Sequence, residues 1–274
     1  AHILLPTDFS DNALHASSYA AHLFGREDNV YTLMHAYIDM DPALNSWPGM
    51  ADEIYKASMI GMSAWADRVR AMPEFANAVV RTEVLYGALP EMLNSLAKEK
   101  RADIVVMGTL GSSGNDMLGS NAGEVVKHSK VPVLVVPNRA EIKPVKRILY
   151  ADGEQHVEVA GSRMLIDIAL RTKAEVILAH VLKNADEVPD PNVVAMYEEL
   201  LQAVPHRFTS REGKDIAGVI DFLSDQEKAD MVVVLHHHTG FLESLFHTSA
   251  AKRLAMHTHI PLLVLQQLDP QAEG

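Results

Sequence analysis

The 274-residue chain contains no cysteine, which excludes disulfide bonds and thiolate metal sites. It also lacks any apolar run of about 18 residues, the length that a membrane-spanning helix needs. No charged start followed by an apolar signal region is present either. We therefore expect a cytoplasmic protein with no membrane partner.

Basic residues are scarce as well. Lys and Arg total 24 against 36 Asp and Glu, which gives a formal net charge of −12. Charge of this sign disfavours nucleic-acid backbones and anionic membranes, so we expect no nucleic-acid partner. A nucleotide remains compatible, because it needs only a local pocket of donors. Apolar residues make up 48% of the chain, which is enough for a full hydrophobic core.

An internal repeat is the strongest organising feature. Four apolar segments of the first half return in the same order in the second half. Segments 2–8, 32–36, 102–106 and 130–136 return as 147–152, 176–181, 229–234 and 259–265. Between the two sets lies a stretch with a proline at each end, residues 137–144. We therefore predict two domains, residues 1–140 and residues 141–274.

Each half alternates apolar strands with helical patterns. In the first half, strands are predicted at 2–7, 30–37, 79–85, 104–107 and 131–136, and helices at 11–24, 51–72, 90–100 and 121–129. The second half follows the same order, with a shorter second helix at about 193–202. Such alternation predicts an α/β protein with two tandem doubly wound domains, each a five-stranded parallel sheet flanked by helices.

A glycine loop follows the fourth strand of the first half. Gly108, Gly111, Gly114 and Gly119 lead to Ser120 and Asn121, which are suited to cap a helix, and Glu124 would complete a capping box. A strand, a glycine loop and a helix start can build an anion site from backbone N–H groups. A tight turn that binds nothing would need the same glycines. Asp8, at the end of the first strand, is expected to face the same crevice as Gly108.

Three motifs together resemble the universal stress protein family. They are Pro-Thr-Asp-Phe-Ser at 6–10, a histidine at the end of the second strand, and Gly-x-x-Gly followed by Gly-Ser. The resemblance implies an adenine nucleotide alpha hydrolase-like fold, and one branch of the family binds ATP. It implies that ATP is the cofactor. The carboxylate of Asp8 could in addition help to hold Mg²⁺. The residues implied to bind it are Pro6, Thr7, Asp8, Ala36, Met107, Gly108, Gly111, Gly119, Ser120 and Asn121.

The two halves depart from the family pattern in opposite ways. Only seven residues separate Gly111 from Gly119, where the family has nine. Two missing residues, at about 3.3 Å each, could move the helix start by several ångströms. In the second half Leu235, His238, Thr248 and Ser249 replace the Gly, Gly, Gly and Ser of the family pattern. Side chains there block close backbone approach, so we expect a degenerate second domain.

Histidines in the second half suggest a metal. His236, His238 and His247 follow the fourth strand of that half and are weak candidate ligands for zinc or copper. Adjacent histidines on an extended segment point in alternating directions, and no cysteine completes a set. The alternative is a polar loop that fills a nucleotide pocket no longer in use.

The predicted function is a universal stress protein that binds ATP or a related adenine nucleotide in domain 1 and acts as a regulatory or interaction module in the stress response. The alternatives are a nucleotide-free interaction scaffold, or a metal- or ligand-binding module through the histidine loop of domain 2. No P-loop lysine and no nucleophile motif is present, so we expect at most slow ATP hydrolysis. The resemblance also implies that the fifth strands of the two halves meet as an intramolecular pseudo-dimer. Formation of a homodimer by two chains is left open.

Overall fold

A computed structural model describes residues 1–38, 50–99, 101–109, 120–152, 161–182, 190–236 and 259–266. The strands are β1 His2–Pro6, β2 Val30–Tyr37, β3 Val79–Tyr86, β4 Ile104–Gly108, β5 Val133–Val136, β6 Arg147–Asp152, β7 Glu175–Leu182, β8 His206–Glu212, β9 Met231–His236 and β10 Leu262–Gln266. The helices are α1 Asp11–Phe24, α2 Met50–Arg70, α3 Leu89–Lys98, α4 Ser120–His128, α5 Arg163–Thr172, α6 Pro191–Leu200 and α7 Ile216–Gln226.

Local signals fix the bounds of α1 as the sequence predicted. The Ser10 side chain accepts a hydrogen bond from the Ala13 N–H at 3.3 Å, which satisfies one free donor of the first turn. Gly25 ends the helix with φ +74°, in the region that favours glycine, and its N–H donates to the Ala21 carbonyl. Polar capping and a glycine stop therefore mark the two ends of this helix, while its buried face packs on the core.

Two predicted helix starts need correction. Helix α4 begins at Ser120, so Ser120 and Asn121 are its first helical residues and not its caps. Glu124 lies one turn before His128, and their side chains approach to 3.2 Å, an i to i+4 pair instead of a capping box. Helix α6 begins at Pro191, two residues before the predicted start, because Asp190 caps it by accepting from the Asn192 N–H.

The strands form one ten-stranded sheet in the order β3-β2-β1-β4-β5-β10-β9-β6-β7-β8. Within the described residues, neighbours inside each half are parallel, as predicted for a doubly wound fold. Strands β5 and β10 join the halves in antiparallel fashion, with Leu134 opposite Leu263. The fifth strands of the two halves therefore meet, which confirms the intramolecular pseudo-dimer.

Helices cover both faces of this sheet. Helices α1, α2, α5 and α6 pack on one face, around side chains such as Trp65, Leu134 and Leu263. Helices α3, α4 and α7 pack on the other face, against Val105 and Val133 among others. Each core runs through both halves without interruption. Among the described residues, no helix combines the length and the apolar character that crossing a membrane requires.

The segment between the halves packs against the domains. Ala140 and Val145 are buried, at 3% and 2% exposure. The Lys143 ammonium lies 3.3 Å from an Asp230 carboxylate oxygen, and the other oxygen of Asp230 accepts from the Lys146 and Arg147 N–H groups. The connection between the two halves is therefore a fixed part of the structure.

Candidate functional site

The candidate site lies at the carboxyl ends of β1 and β4, where the strand order reverses. Leu4 is opposite Val105 in the parallel pairing of these neighbours. From β1 the chain passes to β2 on one side, and from β4 to β5 on the other side. Ligands of doubly wound sheets bind at such a switch point. The fold therefore brings the end of β1 and the end of β4 together, as predicted from Asp8 and Gly108.

The turn after β1 is held by its own side chains. The Phe9 N–H donates to Thr7 Oγ1 at 2.9 Å, and the Ser10 N–H donates to Asp8 Oδ1 at 3.1 Å. The Thr7 N–H donates to the Met34 carbonyl of β2 at 2.8 Å. Phe9 adopts φ +63° to make the turn. Asp8 is thus presented as an exposed carboxylate on a rigid turn.

His35 supports this turn from β2. Its Nδ1 lies 2.9 Å from the Thr7 carbonyl oxygen, and because a carbonyl only accepts, Nδ1 carries the proton. The Phe9 ring packs on the His35 ring at 4.5 Å between centroids and meets Trp65 of α2 edge to face at 6.0 Å. His35 is therefore a positioning residue whose ring is satisfied by a backbone carbonyl. Ala36, the next residue, faces the opposite core with α3 and α4.

The end of β4 contains a glycine for a packing reason. A Cβ at Gly108 would lie 2.5 Å from Asn12 Nδ2, so the first turn of α1 occupies the space where a side chain would stand. Met107 is buried on the opposite face, in the same core as Ala36. Thr109 is also buried, and its N–H donates to the Val136 carbonyl at 3.2 Å.

Helix α4 begins on this edge of the sheet. It runs antiparallel to the strands, from Ser120 back toward the start of β5, so its free N–H groups lie at the carboxyl edge. Ser120 and Asn121 lie in its first turn. Gly111 and Gly119 fall outside the described residues, so their predicted phosphate contacts stay a prediction.

A groove of about 770 Å³ runs between α3 and α4 and starts at this edge. Its upper end is formed by Ile38, the loop after β3, and Asn121. Its lower end carries the cationic side chains of Lys127 and Lys130. Asn94 joins the two helices: its Nδ2 donates to the His128 carbonyl at 2.8 Å and its Oδ1 accepts from the Lys130 N–H at 2.9 Å.

Sequence reasoning assigned Asn121 to the site but missed Ile38 and residues 88–91 as neighbours of it. The sequence predicts a helix from Pro90, and Pro90 does lie in the first turn of α3, but this does not indicate that the loop before the helix reaches the same edge. The order of the strands in the sheet could have identified these residues. The end of β3 lies beside the end of β2 in the sheet, one strand from Asp8.

The second half has a side chain where the first has Gly108. Leu235 of β9 is 3% exposed and belongs to the core that contains Trp65. His236 ends β9, while His238 and His247 lie outside the described residues, so the metal prediction stays untested. In the described part of the chain, no three His, Asp or Glu side chains come together as a metal site would require.

Comparison with known proteins identifies both halves. The model of the universal stress protein family matches residues 1–137 and again residues 144–266. A universal stress protein of Mycolicibacterium smegmatis is 25% identical over an alignment 289 positions long, gaps included, which covers 96% of each chain. One from Methanocaldococcus jannaschii is 34% identical over 142 residues, 49% of this chain and 80% of the relative.

A solved structure supports the fold over the full length. The crystal structure of a universal stress protein from Archaeoglobus fulgidus matches with a TM-score of 0.71 at 16% identity. The match covers 98% of this chain and 97% of the other. At that identity the likeness concerns the fold and does not extend to ligands.

Proposed function

The chain belongs to the universal stress protein family, and from this premise we propose that its first half binds ATP or a related adenine nucleotide. The site is the carboxyl edge of β1, β2 and β4 together with the start of α4. The proposed residues are Pro6, Thr7, Asp8, Ala36, Met107, Gly108, Gly111, Gly119, Ser120 and Asn121. The protein would act as a regulatory or interaction module in the stress response.

One observation carries this proposal. The adjacency of β1 and β4 places the rigid Asp8 turn beside Gly108 and on the edge at which α4 begins. A carboxylate suits the hydroxyl groups of a ribose, and the N–H groups of a helix start suit phosphate oxygens. An adenine nucleotide contains both groups, so the arrangement supports one ligand that spans the edge.

The residues present also fit Mg²⁺ in part. Asp8 is exposed and is the one carboxylate among the proposed residues, so it would serve Mg²⁺ as a hard oxygen ligand, together with phosphates and water, as an alternative to the ribose hydroxyls. Bound Mg²⁺ would neutralise phosphate charge on a protein whose own net charge is −12. The chain's own part is to orient the nucleotide through the turn that His35 and Thr7 hold in place.

The proposal is tested by titrating the full chain with Mg·ATP in a calorimeter, beside the variant Asp8→Asn. Asparagine keeps an oxygen that can accept from the Ser10 N–H, so the turn survives while the charge is lost. A hydrogen bond to a charged group contributes about 1.5–3 kcal/mol, so the Kd should rise about tenfold or more.

Asp28→Asn is the matched control. Asp28 is an exposed aspartate of the same half at the opposite edge of the sheet, with φ +59°, a conformation that asparagine tolerates. The Kd of the Asp28→Asn variant for Mg·ATP should equal that of the unaltered chain. Absence of saturable heat up to millimolar Mg·ATP would instead favour a nucleotide-free module.

That second candidate function, an interaction scaffold, has one observation in its favour. The outer side of α2 exposes Tyr55, Met59 and Ile60, at 45%, 44% and 72%. Clustered exposed apolar side chains often mark an interaction surface. This surface does not include any of the proposed nucleotide residues, so a scaffold role would not require a nucleotide.

A further inference from the structure

The second half contains a small cavity that the proposed function does not use. It measures about 130 Å³ and lies between α6 and the strands β7 and β8. Leu178, His180, Phe208 and Ser210 line it from the sheet, and Val194 and Tyr197 line it from the helix. It is on the face of the sheet that α6 covers, in the half of the chain that lacks the glycine loop.

The first half fills the corresponding place with a side chain. There the Phe9 ring lies against His35 of the second strand, 4.5 Å between centroids, and against Trp65 of the second helix. His180 stands at the repeat position of His35, and α6 corresponds to α2. The sequence of residues 153–160, which follows β6 as Phe9 follows β1, contains no Phe, Tyr or Trp. That stretch of the sequence therefore offers no aromatic side chain equivalent to Phe9.

Anchored elements surround the cavity. Helix α6 is capped at its start by Asp190, and near its end Glu198 pairs with His206 of β8 at 3.0 Å. Tyr197 packs edge to face on Tyr150 of β6 at 5.8 Å, which fixes the ring that lines the cavity. A helix held at both ends resists collapse into the space between it and the strands.

The lining defines the chemistry of a ligand. The walls are mostly apolar, while His180 and Ser210 place an imidazole and a hydroxyl toward the carboxyl ends of β7 and β8. An engineered apolar protein cavity of about 150 Å³ binds benzene. We propose that this cavity binds a small aromatic molecule with one hydroxyl group, of the phenol class. The ring would take the place that Phe9 occupies in the first half, with its hydroxyl bonded at the polar end.

The test is a phenol titration of the full chain with labelled Leu and Val methyl groups, without nucleotide, followed by NMR. Saturable shifts are expected at Leu178 and Val194, with half-saturation at about 1 mM or below, within the ligand-efficiency limit for so small a molecule. Toluene, which has the same ring and no hydroxyl, should bind about tenfold more weakly.

Two variants locate the binding. Val194→Trp should fill the cavity and weaken phenol binding about tenfold or more, whereas Met196→Trp on the 46% exposed outer side of α6 should leave it unchanged. Thermal unfolding of both variants reports whether the fold is kept. Ser210→Ala, at an exposed position, should reduce phenol affinity and leave toluene affinity as it was.

Three results would overturn the proposal. They are no saturable methyl shift with phenol, equal phenol affinity in folded Val194→Trp, and equal affinity for phenol and toluene in the unaltered chain. Because nucleotide is absent and the variants lie in the second half, none of these outcomes depends on ATP binding by the first half.

Discussion

Leu263 lies at the junction between the two halves of the sheet, and its replacement by alanine should weaken both halves together. It is fully buried in β10 and pairs across the antiparallel junction with Leu134 of β5, which is also fully buried. Both side chains belong to a core that extends to Trp65 of α2. The physical claim is that this continuous core makes the two halves one cooperative unit.

The expected magnitude follows from burial. Replacing a fully buried leucine by alanine costs about 2.7–5 kcal/mol, according to how far the cavity collapses. Leu263 is enclosed by strands on both sides and by helices above, so little collapse is available and we expect about 4 kcal/mol. Leu170→Ala, at a 51% exposed site on α5, is the matched control and should change stability by less than about 1 kcal/mol.

The assay is urea unfolding with two probes. The chain has two tryptophans, both in the first half, and Trp47→Phe leaves Trp65 as the sole tryptophan. Trp65 fluorescence then reports the first half, while circular dichroism reports all helices. With a slope of about 3 kcal/mol per molar urea, a loss of about 4 kcal/mol moves the midpoint by about 1.3 M.

Whether the fluorescence and circular dichroism midpoints coincide shows whether the two halves unfold as one unit. If the halves are one unit, both curves move together in Leu263→Ala, although the substitution lies in the second half and Trp65 in the first. The reasoning is refuted if the Trp65 midpoint stays at its original urea concentration while circular dichroism shows an earlier separate step. In that case the β5–β10 junction would join two independently folding domains.

Two further predictions concern pH and backbone strain. Burial lowers the pKa of His206, but the Val204 carbonyl and the Glu198 carboxylate outweigh it, so the folded-state pKa is raised above its ordinary value. The stabilisation that the protonated His206 gives the folded state is fully present below about pH 6.5, and it is lost as the pH rises through the raised pKa. Glu198→Gln should therefore flatten the pH dependence of the urea midpoint. An unchanged pH profile in this variant would contradict the prediction. Gly87 has φ +144°, a conformation that other residues rarely adopt, so Gly87→Ala should lose about 1–3 kcal/mol of stability in urea unfolding. The nearest atom to the new Cβ is Met92 Cε, the end of a flexible side chain that can move aside, so the strain lies in the backbone. Unaltered stability would contradict this prediction.

Much of the fold could be predicted because its signals are local or repeated. Ser10 and Gly25 bracket α1, and both act through hydrogen bonds within one turn of the helix. Buried strands such as β4 and β5 are short apolar runs, which the sequence shows directly. The repeat then reduced the problem to one five-stranded unit, since any strand recognised in one half predicted its counterpart in the other.

What the sequence could not supply depends on contacts between distant residues. The capping pattern at Asn121 and Glu124 was present, yet the helix begins one residue earlier and Glu124 pairs with His128. The groove beside Asn121 depends on the α3–α4 contact through Asn94, and no local pattern encodes it. The cavity at His180 depends on how α6 packs on β7 and β8, which are distant from one another in the sequence.

The buried side chain of Leu235 opposes a return to glycine at this position of the second half. Leu235 occupies the repeat position of Gly108, but where Gly108 leaves room for Asn12, the Leu235 side chain is itself buried in the core. Returning that position to glycine would remove a packed leucine, and truncation of a buried leucine even to alanine costs about 2.7–5 kcal/mol, a large share of the about 5–15 kcal/mol by which domains are stable. Replacing Leu235 by glycine, so that the backbone could come close to a ligand, would thus weaken the sheet to which this residue belongs. The packing of β9 therefore keeps position 235 different from Gly108, which has no side chain and lies against Asn12.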